Sequence, residues 1–236
     1  MRVIGWIGVL HVVFIVAWMV INVIFGILNP VTLGEGDSNA EIGVSYYINF
    51  PGFLGLDHGS KALVMLTSVL LPIGLFMYLK KKKDFMLLNL IALIAGCIGF
   101  AFYGASLMLQ ATAAEYAFNL YGSSDDVFAR SFSVFLYEWS MLEGGLSVSI
   151  YIIANLFLAA WVIIHSRGLH ILDSSRKLSM FGYIVGFLQI IGYLISWFFL
   201  MQANQNMHDF NEGVGLLFMV WILIISIKMI RGKITI

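Results

Sequence analysis

The chain has 236 residues, 61% of them hydrophobic and 11% charged, with a mean hydropathy of +0.94. Soluble domains run about 45–50% apolar and about 25% charged, and a water-soluble fold of this length has too little interior to hide so much apolar surface. A formal net charge of zero gives no basic footprint for a nucleic-acid partner, and the single cysteine, Cys97, excludes an internal disulfide and a cysteine-based metal site.

Apolar runs of about twenty residues suffice to cross a hydrocarbon core about 30 Å thick. Six are expected here, at residues 3–28, 62–79, 85–109, 135–164, 178–201 and 213–230. The first follows Arg2 and is longer than the apolar part of a signal peptide, about 7–15 residues, so it reads as a retained helix. The second contains Pro72, which is expected to kink it, and ends at Lys80, Lys81, Lys82 and Lys83. The predicted fold class is all-α, a single membrane domain formed by a polytopic bundle of about six transmembrane helices.

Alternating the segments places Arg2, Lys80, Lys81, Lys82, Lys83, Arg167, Arg176, Lys177, Lys228, Arg231 and Lys233 on one side, eleven of the thirteen basic residues. Lys61 and Arg130 fall on the other, while only Asp84 and Asp173 among the acids share the basic side. Basic loops stay cytoplasmic, so both termini are expected in the cytoplasm and the chain in the cell membrane. The outward segments are then 29–60, 110–134 and 202–212. The first holds Tyr46, Tyr47, Phe50, Pro51 and Phe53 and reads as an amphipathic strap along the headgroups.

Polar residues within spans are costly and mark either helix–helix contacts or solute paths. Glu143, Ser147, Tyr151 and Asn155 recur every four residues in the fourth span. The third carries Asn89, Gly96, Tyr103 and Gln110 at seven-residue spacing, with Gly99 and Ser106 beside them. The fifth carries Gly182, Gly186, Gln189, Tyr193 and Trp197, and the first aligns His11, Trp18 and Asn22. Two readings stand. The stripes are interhelical glue, or Asn22, Ser106, Gln110, Glu143, Ser147, Tyr151, Tyr193 and Trp197 line an outward-facing pocket.

Two groups contain metal-ligand residue types, Asp57 with His58, and His208 and Asp209 with Glu212; imidazole and carboxylate suit zinc, manganese or iron. A haem between histidines has poor geometry here, because His11 lies within a span and His165 at the end of one. No phosphate-binding loop, HExxH site or nucleophile elbow occurs, so no motif requires a cofactor.

The spacing of the spans, the long first outer loop, and Trp161-Val162-Ile163-Ile164-His165 followed by Arg176-Lys177-Leu178 and Gly182 resemble uncharacterised six-helix prokaryotic integral membrane proteins. The resemblance implies the layout and assigns no site residue. Three functions fit the sequence: binding, sensing or transport of a small solute through the outward pocket; an accessory or assembly subunit of a larger membrane complex; and a membrane-embedded enzyme acting on lipid or quinone. The partners expected are the lipid bilayer and, for the subunit reading, another membrane subunit or a second copy.

Overall fold

The computed structural model of the protein describes residues 1–31, 38–80, 83–142, 145–171, 176–199 and 205–232. It is all-α, 91% helical, with no strand among the described residues. The helices are α1 (Arg2–Leu28), α2 (Asn39–Tyr47), α3 (Phe53–Thr67), α4 (Leu70–Leu79), α5 (Met86–Ser123), α6 (Val127–Tyr137), α7 (Leu146–Ile171), α8 (Arg176–Phe199) and α9 (Gln205–Ile230). Six helical segments are long and apolar enough to cross a membrane, and the chain is an integral membrane protein.

Two helices run well beyond the apolar runs. The second spanning segment begins at Phe53, so Asp57, His58 and Lys61 lie within it. The third continues past Leu109 to Ser123, 38 residues in all. At about 1.5 Å rise per residue it is about 57 Å long, well beyond a hydrocarbon core of about 30 Å.

The structure divides into two compact units. The first comprises Met1–Val13, Val64–Tyr103 and Ile152–Ile236, the second Phe14–Leu63 and Gly104–Tyr151.

Aromatic packing centres the first unit. Trp161 and Trp221 are essentially fully buried, and their rings meet edge to face with centroids 5.3 Å apart. Phe100 joins them at 5.4 Å from Trp161. Small residues bring the backbones together, as is usual in lipid, where no hydrophobic force drives helices into contact. A Cβ on Gly5 would stand 2.7 Å from the Ser226 carbonyl oxygen, and one on Gly186 2.5 Å from Ile163 Cγ1. Pro72 produces the expected break. It has no N–H to offer the Ser68 carbonyl, which instead accepts the Leu71 N–H at 2.9 Å, and the helix is interrupted between α3 and α4. The Ser68 hydroxyl donates to the Val64 carbonyl (2.7 Å) and lies 2.6 Å from His11 Nδ1. The break is thereby tied to α1.

The second unit has its own core of Ala40, Val44, Leu54, Ala114, Ala117, Phe118 and Tyr137. Helix α2 begins with a capping box, in which Ser38 Oγ accepts the Glu41 N–H and Glu41 accepts the Ser38 N–H. Helix α6 turns Ser133 and Tyr137 inward and leaves Phe128, Phe132 and Phe135 exposed, the reverse of a water-soluble amphipathic helix and suited to lipid. A π-helical turn, Glu138–Leu142, follows it directly.

Candidate functional site

The second unit holds an open cleft of about 260 Å³, with Pro51, Asn119, Gly122 and Ser123 exposed at its rim. Its apolar wall is formed by Ile48, Pro51 and Phe118, its polar wall by Glu115, Asn119 and Ser123, and Gly122 leaves it open on one side. The geometry follows from a Pro-Gly turn. Proline presets the first central position of a type II turn and glycine supplies the positive φ of the second. Gly52 has φ of 81°, and the Phe53 N–H closes the turn on the Phe50 carbonyl at 3.1 Å. Helix α3 starts there, and its first N–H groups have no partner within the helix. Glu115, reaching from α5, supplies one: Oε1 accepts the Gly55 N–H at 2.9 Å and Oε2 the Gly52 N–H at 3.2 Å. A carboxylate at a helix N-terminus also meets the positive end of the macrodipole. The close approach needs a glycine, because a Cβ on Gly55 would lie 2.8 Å from Glu115 Cγ.

One turn further along α3 lies a charged constellation. Asp57 is 3% exposed. Its Oδ1 is 2.5 Å from Lys61 Nζ, and its Oδ2 accepts from Asn22 Nδ2 at 3.3 Å and approaches His58 Nδ1 at 3.4 Å. A carboxylate in a spanning segment is expensive unless paired, and the i,i+4 lysine together with the amide of α1 supplies the pairing. Aromatic rings surround these elements. Phe25 stacks on Phe53 at 3.8 Å, and Trp18 meets Phe53 at 6.2 Å. Tyr46 donates its hydroxyl to the Asn29 carbonyl at 2.7 Å. Burial, then the neighbouring Tyr46 and Asp57 charges, push the Tyr47 phenol above its ordinary value.

The expected pocket residues separate. Asn22 joins Asp57 as described. Ser106 and Ser147 come together, with the Ser106 hydroxyl donating to the Ser147 carbonyl at 2.8 Å. The Ser147 hydroxyl donates to the Ser140 carbonyl at 2.6 Å, and that of Ser140 to the Tyr137 carbonyl at 3.3 Å. These three bonds cover carbonyls around the π-helical turn, where the regular i→i−4 ladder is interrupted, and they act as interhelical and intrahelical glue. Gln110 and Tyr151 are half-buried members of the same unit, whereas Tyr193 is buried in the first unit. Glu143 lies outside the described residues, as do the side chains of Trp197, His208 and Glu212.

Of the expected metal ligands, Asp57 and His58 are adjacent. No group of three or more His, Cys, Asp or Glu side chains able to hold a metal exists among the described residues. His165 is sealed in the first unit, its Nδ1 3.2 Å from the Trp161 carbonyl.

Sequence reasoning missed Glu115 and the pairing of Lys61. The Pro51-Gly52 dipeptide was the available signal, since it marks a turn and hence a helix N-terminus that needs an acceptor. Comparison with models of known families, with curated proteins and with solved structures finds no match for this chain.

Proposed function

We propose that this chain is a multi-pass protein of the cell membrane, with both termini cytoplasmic, that binds a small solute at the outward side for sensing or transport. The observation that carries the reading is the 260 Å³ cavity with the Glu115 carboxylate in its wall. Small-molecule sites are concave and combine apolar walls with a few placed polar groups; here apolar Ile48, Pro51 and Phe118 line an open cleft together with polar Glu115, Asn119 and Ser123. The orientation rests on the charge distribution, with eleven of thirteen basic residues on one side of the spans. It puts the segments around Pro51 and Gly122 outside. The buried Asp57–Lys61 pair on α3, the helix whose N-terminus Glu115 caps, adds a second polar feature, of the kind that accompanies solute or ion paths in membrane proteins.

A membrane subunit would offer its small-residue faces to a partner. Here the Gly182 and Gly186 face is filled from within the first unit, where a Cβ on Gly182 would meet Trp221 Nε1 at 2.5 Å.

Native mass spectrometry of the protein gently extracted from its own membrane tests the proposal. A lone chain carrying a reproducible small adduct, lost in Gly122→Leu, is the expected result. A chain that always leaves the membrane with another polypeptide, and carries no adduct, would overturn it in favour of the subunit function.

A further inference from the structure

We infer that the solute taken by the Glu115 cavity is a small organic cation, an alkylammonium with an apolar body. The inference rests on the solute-binding reading of this cavity and adds the chemistry of its ligand.

The charge of the wall comes first. Glu115 is the one ionisable side chain among the described lining residues, and no lysine or arginine faces it there. Its two hydrogen bonds come from neutral backbone N–H groups, one to each oxygen, so each oxygen keeps a lone pair for another donor. The α3 N-terminus offsets roughly half a charge. The wall therefore stays net negative, which disfavours anions and favours a cation.

The remaining lining selects among cations. A bare metal ion needs several oxygen ligands in a compact shell, about six to eight for calcium. The cavity instead sets one carboxylate beside the apolar side chains of Ile48 and Pro51 and the ring of Phe118. Its volume is just below the range of about 300–1,000 Å³ usual for small-molecule pockets, too large for a single ion. The apolar body of an alkylammonium suits Ile48, Pro51 and the edge of Phe118, a ring buried against Tyr47 and Tyr137 with centroids 5.7 and 5.6 Å away. A sugar would need many polar partners. The wall offers only Asn119 and Ser123 besides Glu115, and the Ser123 hydroxyl already points at the Leu120 carbonyl.

Gly122 provides the means of closing the site without disturbing Glu115. A Cβ there meets nothing within 4 Å, so a leucine extends into free space.

The test uses the purified full chain in dodecyl maltoside, which carries no ammonium group, and isothermal titration with choline and with its neutral isostere 3,3-dimethylbutan-1-ol. Saturable one-to-one choline binding is expected, with the alcohol at least about tenfold weaker, a difference of about 1.4 kcal/mol. Glu115→Gln should weaken choline by a similar factor and the alcohol far less, so that the ratio between the two ligands collapses. Gly122→Leu should abolish both while the protein stays monodisperse with unchanged helicity. Phosphatidylcholine added to the micelles separates two sources of the same chemistry: competition with choline assigns the site to a lipid headgroup, and its absence to a free solute.

Choline and the alcohol binding equally would overturn the charge inference and leave the solute-binding reading standing. Choline binding that is undiminished in Gly122→Leu, or absent up to about 10 mM, would also overturn it. The adduct experiment on wild type and Gly122→Leu then reports separately on the broader reading, because it does not depend on the ligand's charge.

Discussion

Lys61 Nζ lies 2.5 Å from Asp57 Oδ1, one helical turn away on the same spanning segment. The aspartate is almost fully buried, whereas the lysine side chain keeps 18% of its exposure. The lysine thus shields the acid from its surroundings while reaching outward itself. Removing Lys61 alone should strand a buried carboxylate, at a cost of about 3–5 kcal/mol. Lys61→Met is therefore expected to lower the thermal midpoint in detergent sharply, and Lys61→Met combined with Asp57→Asn to recover most of the loss. A double variant no more stable than Lys61→Met would show that the two groups are not coupled.

Glu115 is expected to matter to α3 in proportion to the acceptors retained. Glu115→Ala leaves the Gly52 and Gly55 N–H groups without their partner and should cost about 1–3 kcal/mol. Glu115→Gln keeps an acceptor oxygen and should cost less. Amide hydrogen exchange localises the effect: protection should fall at Gly55 and neighbouring positions in the alanine variant and stay near wild type at α9.

The serine relay makes a third prediction. Ser147→Ala withdraws the donor from the buried Ser140 carbonyl and should cost about 1–3 kcal/mol. Ser147→Cys, which keeps a weak donor at the same place, serves as the comparison and should cost less. Chemical denaturation in mixed micelles that gave the two variants equal stability would contradict the assigned role of Ser147.

A fourth prediction concerns alkaline pH. The Tyr47 phenol has its folded pKa raised above the ordinary 10.0 by burial and by its neighbours. Its contribution to stability is fully present below the unfolded value and is lost as pH rises through the folded one. Unfolding midpoints should therefore fall more steeply above about pH 10 in wild type than in Tyr47→Phe, with the two curves parallel at neutral pH. Identical alkaline limbs would remove Tyr47 from the account.

What the sequence made legible follows from what lipid demands. Hydrocarbon imposes long apolar runs, so six spans could be counted from composition, while the polar stripes holding Ser106 and Ser147 left interhelical glue and a pocket lining both open. Helix ends were harder. The run ahead of Ala62 is interrupted by Asp57, His58 and Lys61, residues that look like loop, yet their mutual pairing lets the helix continue back to Phe53. Helix α5 continues past Leu109 on alanines 111, 113, 114 and 117, which favour helix without adding much hydropathy. The four-residue stripe from Glu143 presumed an unbroken α-helix; Ser147, Tyr151 and Asn155 keep that spacing on α7, and Glu143 lies outside the described residues. Glu115 was hidden for another reason: its partners are backbone N–H groups, which no residue letter reports.

The π-helical turn that follows α6 governs how this region can change during evolution. Residues 138–142 hold one residue more per turn than an α-helix would, and a single deletion there would restore the ordinary winding. Because the extra residue is held within the wider turn, its loss would leave Ser133 and Tyr137 facing inward and Phe128, Phe132 and Phe135 facing out. The same deletion inside α6 would instead rotate the residues before it by about 100° and turn that aromatic face partly toward the core of the second unit. The π-helical turn is therefore the place in this stretch where a change of length by one residue is absorbed locally.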